Sequence, residues 1–492
     1  MRNKEVSSGI LGRGLIERIL VVTLLSLINI VTLGSILNII LAIPQIIYVL
    51  YILFVKRDLK MAIVMHMIFT MTCVSPLNAK GFSEAGSALV IYSYAKLKLI
   101  GPIGISYLIW ILIFINSIFI SEKSAEFRNS LFYKLFKYLL ILDIIGNFLG
   151  LFGFAILSGY SLDGFISYNV YIQITIIVMY CLVKNNSHEL MKLFYDLVIP
   201  LFVGSILATM LSFLLWDVTT TYGAYEDIIL QPDILYFGVL LLLSLFWTRY
   251  KGLVLLAFLF YVIINISSPS GKSLLFVFIG LVFFVYLLYF AKTPALSNSQ
   301  FVRRARIIFI IIAVIPVIIL LPKITLEGNL LALKMQDVTS LFSGDLSEID
   351  RSPFIRIATI LNIIDNNLSN PIGLILGQGY GGYFTDSLNF FVGLNLEHGA
   401  WGEEIVRSGR FSSAHDTFAV VPLLNGFGGL LLVFKITWLY IKKIKYSYLA
   451  FAAIPWILFT LYYNVIYSII GCFLLYAAEF QFESEKLLTK HQ

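Results

Sequence analysis

Long apolar runs separated by short polar connections recur along almost the whole of this chain. An α-helix needs about 20 apolar residues to cross roughly 30 Å of hydrocarbon, and it satisfies its own backbone there. Fourteen runs meet or approach that length, at approximately 17–35, 37–55, 61–78, 102–120, 135–158, 165–183, 193–215, 234–248, 252–266, 273–291, 305–322, 417–435, 447–462 and 464–479. The first two are parted only by Thr32-Leu33-Gly34-Ser35, and the last two only near Tyr463 and Asn464. The pattern predicts an all-α fold, a polytopic integral membrane bundle of about 12–14 transmembrane helices. It divides into an N-terminal bundle over 1–322, one large loop with short helices over 323–416, and C-terminal transmembrane helices with a short tail over 417–492.

From Lys323 to His415, Gly, Asn, Ser and charged residues replace the Ile, Leu and Phe background. A connection this long inside a bundle is usually functional or disordered, and a patterned helix within it favours order. Ser352-Pro353 is an N-cap and first-turn signal, Ile357, Ile360, Leu361, Ile364 and Leu368 repeat at helical spacing, and Pro371 marks the end. The apolar face is expected to lie on the bundle. The opposite face carries Arg356, Thr359, Asn362 and Asn366, with Arg356 either presented to a polar cleft or simply solvated. The following Gly377-Gln378-Gly379-Tyr380-Gly381-Gly382 has no convincing strand before it, so it is expected to be a turn-rich hinge that brings backbone close to a ligand, not a nucleotide loop. Ser270-Gly271-Lys272-Ser273 ends like a Walker A loop, but Ile266 stands where its first glycine is required. That leaves Lys272 as a cation at a helix mouth, holding an oxyanion or snorkelling to the interface.

Composition agrees with a membrane solvent: 59% of residues are hydrophobic and 13% charged, and mean hydropathy is +0.91. A water-soluble globule would carry about a quarter charged residues. With a cytoplasmic N-terminus, 25 of the 35 lysines and arginines fall on the cytoplasmic side. The other side keeps Lys80, Lys96, Lys98, Lys272, Lys323, Lys334, Arg351, Arg356, Arg407 and Arg410. Positive-inside bias thus places the large loop outside the cytoplasm, and the net charge of +7 needs no nucleic-acid partner. No removable signal peptide is expected, since no small-residue cleavage site follows a compact apolar core near Arg13 and Arg18. Cys73, Cys181 and Cys472 fall within predicted spans and read as small apolar residues, not as a disulfide framework.

The candidate chemistry gathers where the loop returns to the membrane, at Ser412-Ser413-Ala414-His415-Asp416-Thr417. The positive end of the following helix favours neutral imidazole at His415, the form that accepts a proton. Six basic residues face eleven acidic ones over 323–416, so an anion site there must use particular arginines: Arg351, Arg356, Arg407 or Arg410. Some of these are expected to pair with Asp350, Glu403 or Glu404 instead. His398 with Glu397, Glu403 and Glu404 makes no metal-ligand spacing, and His66 and His188 read as packing or surface residues. Within spans the notable charges are Asp143 and Asp196.

These elements resemble the bacterial O-antigen ligases and Wzy-type O-antigen or capsule polymerases. The ligase signature runs His, then Asn, Ser or Gln, nine free positions, Gly, two free positions, and Gly, Thr or Tyr. Here it reads His415, Asp416, nine residues to Asn425, then Gly426, Phe427, Gly428 and Gly429, with Asp416 the one departure. Upstream, Arg356, the helix through Ile360 to Ile364, Pro371 and Gly377-x-Gly379 are similar to the family's Arg, helix, Pro and Gly-x-Gly order; Ile360 stands where Trp is common. Ser270 to Ser273 is similar to its Ser-basic-small element with an inserted glycine. The resemblance covers roughly 265–435 and implies a metal-independent, inverting glycosyltransferase without cofactor. In it an undecaprenyl-pyrophosphate-linked glycan reacts at a bacterial cytoplasmic (inner) membrane, multi-pass and with its large loop extracytoplasmic. It assigns His415 as catalytic base, Arg356, Lys272 and Arg351 to the pyrophosphate, and Arg407, Arg410 and Asp416 to the glycan. Membrane lipid, a chain-length regulator and a flippase are the implied partners. The Asp after the histidine and the chain length favour a polymerase joining repeat units. The alternatives are a ligase transferring glycan to lipid A core or another acceptor and, from another class, a polysaccharide flippase, for which internal repeats, broken helices and mid-membrane charges are expected.

Overall fold

The computed structural model of the chain describes residues 14–33, 36–74, 94, 97–100, 103–119, 130–156, 159–216, 219–222, 225–229, 231–267, 282, 286, 351–392, 403–414, 416–443, 447, 449–459, 461–462 and 465–490. They are mostly helical, 81%, with few strands, as the all-α reading requires. Among the described residues, five helices are long and apolar enough to cross a membrane: Leu37–Val55, Leu131–Ile156, Leu162–Lys184, His188–Trp216 and Thr417–Lys443. Leu59–Met71, Ile105–Ile118, Lys251–Asn265 and Tyr467–Phe482 are shorter apolar helices. The expected spans 273–291, apart from positions 282 and 286, and 305–322, the start of the loop at 323–350, and the site residues Lys272 and His415 lie outside the described residues. The chain divides into two compact units, Met1–Lys98 with Gly104–Ile120 and Asn185–Ile318, and Leu99–Ile103 with Ser121–Lys184 and Ile319–Gln492.

In the first unit, helix α1 (Leu15–Val31) ends at Thr32, so the first two apolar runs are separate helices, α2 (Ile36–Leu50) continuing through a π-turn at Tyr51–Val55. Helices α3 (Leu59–Met71), α4 (Ile105–Ile118) and α7 (His188–Trp216) pack with them. His66 of α3 is a packing residue: its ring is fully buried, meets the Tyr94 hydroxyl, faces the Ser106 carbonyl at 3.2 Å and lies on Trp110. His188 opens α7 at the surface. Asp196 on α7 pairs with Arg18 of α1 at 4.0 Å.

The run at 234–248 departs from the expected span. It forms a 3₁₀ turn at Asp233–Phe237, a short helix α8 (Val239–Leu243) and another 3₁₀ turn at Ser244–Phe246, ahead of α9 (Lys251–Ser267). Asp233 to Leu245 are buried throughout, and a short apolar run enclosed on all sides carries no periodicity to distinguish a long helix from such a segment. A β-hairpin pairs Thr219–Tyr222 with Tyr225–Ile229 in the connection before it.

The second unit contains α5 (Leu131–Ile156), α6 (Leu162–Lys184), α10 (Arg351–Leu368), α11 (Pro371–Leu376), α12 (Glu403–Ser408), α13 (Thr417–Lys443), α14 (Ala450–Phe459) and α15 (Val465–Lys490). The helix predicted in the loop is α10, but its faces are reversed from expectation. Thr359, Asn362 and Asn367 are buried, whereas Leu361 and Leu368 are exposed. The asparagines turn inward because irregular backbone there needs partners. Asn362 donates to Asp386 at 2.8 Å, Asn366 exchanges hydrogen bonds with Thr385 at 3.0 Å, and Asn367 donates to the Pro422 carbonyl at 3.0 Å.

A buried ion pair closes one end of this unit. Lys443 of α13 donates to Glu479 of α15 at 2.7 Å, and the Leu131 amide at the start of α5 donates to the same oxygen at 3.2 Å. The Glu479 side chain is fully enclosed. Deleting one member of such a pair strands the other, at a cost of about 3–5 kcal/mol. Glu479→Ala is therefore expected to lower the thermal unfolding midpoint of the purified protein clearly more than Glu479→Gln, which keeps an acceptor for Leu131.

Candidate functional site

The site is assembled around a glycine loop that enters the second unit. Helix α13 is interrupted at Gly426, whose φ of 62° and ψ of −168° are closed to side-chain-bearing residues. The break leaves carbonyls of the preceding turn without helical donors, and the loop supplies them: Gln378 N–H donates to Leu423 at 2.7 Å and Gly379 N–H to Leu424 at 3.0 Å. On the other side Tyr380 N–H donates to the Gly146 carbonyl of α5 at 2.9 Å, and Ser161 N–H donates to Gly381 at 2.8 Å. Gly146, Gly150 and Gly153 lie along one face of α5, where a Cβ would strike Tyr380 or Tyr160. The close approach expected of Gly377 to Gly382 is thus to the protein's own helices. Tyr160 donates to Gln378 at 2.7 Å, and burial, then neighbouring Tyr383, raises its hydroxyl above its ordinary pKa.

Beside this loop is a cavity of about 660 Å³. The turn into α6 and its first turns supply Ser161, Asp163, Ser167, Tyr168 and Tyr171; α12 and the strand-like stretch after it supply Ser408, Arg410, Ser412, Ser413 and Ala414; Tyr462 completes the wall. Ser161 caps the first turn of α6 by accepting from Gly164 at 3.0 Å, and Asp163 sits in that turn, where the helix dipole favours an anion. The 411–414 stretch is fixed by reciprocal backbone hydrogen bonds between Phe411 and Phe384 at 2.9 and 3.1 Å, and by Ala414 N–H donating to the Tyr168 hydroxyl at 3.1 Å. Arg410 stacks over Tyr383, 5.2 Å from its centroid, and lies against Gly159, which has a φ of +99°. Thr417 accepts from Leu461 N–H at 3.1 Å, tying the start of α13 to the residue before Tyr462.

The candidate residues read from the sequence are distributed unevenly over this arrangement. Arg410 lines the cavity and Arg407 does not. Arg356 and Asp416 meet each other, Nε to Oδ2 at 3.6 Å, joining α10 to the start of α13. Arg351 opens α10, with its side chain outside the described residues. His415 is likewise outside them, but its chain neighbours are placed: Ala414 lines the cavity and Asp416 holds Arg356. Asp163, Tyr168, Tyr171 and Tyr462 were not singled out in the sequence. The Ser161-x-Asp163 helix start was a readable signal for the first, while the tyrosines come from distant stretches with no shared local pattern. Among the described residues no three His, Cys, Asp or Glu side chains gather as a metal site. Comparison with models of known families, with curated proteins and with solved structures finds no match for this chain.

Proposed function

We propose that this chain is a lipid-linked polysaccharide polymerase, joining undecaprenyl-pyrophosphate-linked repeat units on the outer face of a bacterial cytoplasmic membrane. The observation that carries this reading is the cavity beside the chain neighbours of His415. Serine hydroxyls, tyrosine rings, one carboxylate and one guanidinium are the groups that bind sugar hydroxyls and sugar faces. In the reaction an acceptor hydroxyl oxygen bonds to C1 of the donor's reducing-end sugar with inversion, and the bond from C1 to the pyrophosphate oxygen breaks. His415 takes the hydroxyl proton, and undecaprenyl pyrophosphate leaves with the bonding electrons. Arg351 is proposed to stabilise the charge on the leaving phosphate, with Arg410 and Asp163 orienting the glycan. Arg356 contributes to the phosphate only by sharing its guanidinium with Asp416. A ligase would use the same cavity with another acceptor.

Arg410→Ala is expected to lower transfer at sub-saturating lipid-linked glycan by about 10- to 100-fold, as loss of a charge-assisted contact of about 1.5–3 kcal/mol predicts. Arg407→Ala should stay within about twofold. Equal effects of the two, measured as initial rates with purified protein, would remove the cavity from the reaction.

A second reading, a polysaccharide flippase, is favoured by one observation: α13 is broken at Gly426 beside Asp143, a feature expected of transporters. It predicts that substitution of His415 leaves function intact.

A further inference from the structure

Asp143 stands at the midpoint of α5, about 18 Å from its first residue and 20 Å from its last by helix rise. In a helix long enough to cross a membrane this is the depth at which a carboxylate is least tolerated, and where ionisable groups are retained for function. Asp196, the other acid noted within a span, pairs with Arg18; Asp143 has no ion-pair partner among the described residues. Its described hydrogen-bond donor is Asn147, one turn along, at 3.1 Å.

Two hydroxyls from outside α5 converge on the same place. The Tyr380 ring packs on Gly146, one turn along α5 from Asp143, and its enclosed hydroxyl faces the Asp143 carboxylate and the Tyr462 hydroxyl. Tyr462 in turn donates to Asn425 at 2.9 Å, and Asn425 donates to the Leu142 carbonyl at 3.3 Å, next to Asp143 in the chain. A carboxylate, a buried hydroxyl and a second hydroxyl thus meet where α13 is broken and the glycine loop enters. From the elements packed on α5, the titratable groups turned toward Asp143 are Tyr380 and Tyr462. The charged residues described on α6, α13 and α15, namely Asp163, Lys184, Lys435, Lys442, Lys443 and Glu479, form no ion pair with it.

We infer that Asp143, Tyr380 and Tyr462 form a site for one small cation, a proton or a sodium ion, which neutralises the carboxylate and locks the glycine loop against the broken helix. Hard oxygen ligands suit sodium, and a carboxylate facing hydroxyls suits a proton equally. The site holds whether the neighbouring cavity takes a glycan for transfer or a solute for transport.

The test is thermal unfolding of the purified full-length protein in detergent, for the native chain and for Asp143→Asn, which mimics the neutral side chain. One arm adds sodium chloride against choline chloride at constant ionic strength; the other lowers pH with choline as the only cation. Binding to the folded state alone raises the midpoint, here by roughly 2–5 °C at saturation. Sodium-dependent stabilisation of the native chain, absent from Asp143→Asn, identifies sodium. Stabilisation on acidification of the native chain relative to the variant, with no sodium effect, identifies a proton. Parallel behaviour of the two proteins in both arms overturns the inference. If Asp143→Asn does not fold, Tyr380→Phe keeps the carboxylate and packing while removing one ligand. If the cation is sodium, this variant should need roughly tenfold more of it, as loss of about 1.4 kcal/mol of binding gives; if it is a proton, the variant should be stabilised at higher pH than the native chain, because a hydroxyl facing the ionised carboxylate has been removed. Unchanged dependence on both would again count against the site.

Discussion

Replacing His415 by alanine is expected to reduce glycosyl transfer by about 10²- to 10⁴-fold, the usual contribution of a positioned general base. Its two chain neighbours are anchored independently of its side chain. Ala414 N–H is held by the Tyr168 hydroxyl at 3.1 Å, and Asp416 by Arg356 at 3.6 Å. The substitution should therefore remove proton acceptance without dismantling the segment. Initial rates with purified protein and a lipid-linked glycan, read beside the thermal midpoint, separate the two effects. A midpoint shift of several degrees with a proportional loss of activity would make His415 a structural residue; a large rate loss at an unchanged midpoint is the outcome expected of a base.

The largest structural effect is expected at Gly377. Its φ of +79° and ψ of −167° lie in a region that is essentially glycine's alone. A Cβ there would sit 2.4 Å from the amide nitrogen of Asn425, and a Cβ at Gly426 would sit 2.5 Å from the carbonyl of Ile375. The two glycines face one another across the seam between the loop and the broken helix, and neither backbone can retreat without releasing the hydrogen bonds from Gln378 and Gly379. Gly377→Ala should cost about 4 kcal/mol or more, the range of severe core disruptions. Against a total stability of about 5–15 kcal/mol, that removes roughly a quarter to four-fifths of it. Gly409→Ala is the control. It too has positive φ, +64°, but nothing lies within 4 Å of its Cβ position, so it should lose only the left-handed backbone cost of about 1–2 kcal/mol. Yield and thermal midpoint of the two variants side by side decide this: similar losses would mean that backbone conformation, not the interlock, is what matters.

Much of this arrangement was legible in the sequence, though not always its direction. Ser352-Pro353 and the spacing from Ile357 to Leu368 gave the helix α10, but the side facing inward was reversed. Here Asn362, Asn366 and Asn367 pair with amides and a carbonyl that irregular backbone leaves without partners. Gly377 to Gly382 signalled close backbone approach, and what they approach is α5 and α13. Asn425-Gly426, quoted for a resemblance, has a physical task as the break in α13, with Asn425 linking it to Tyr462 and Leu142. The break itself was not legible, since one glycine in an apolar run carries no sign of its φ. The cavity was the least legible element: its walls come from 159–171, 405–414 and Tyr462, joined only by folding.

The most direct test of polymerisation is to incubate the purified protein with a single undecaprenyl-pyrophosphate-linked repeat unit and no other acceptor, then resolve the glycans by size beside His415→Ala. A ladder of multiples from the intact protein, absent from the variant, is the predicted result. A single lipid-linked repeat unit unchanged under all conditions, including added lipid A core, would contradict glycosyl transfer and leave transport as the function of the fold.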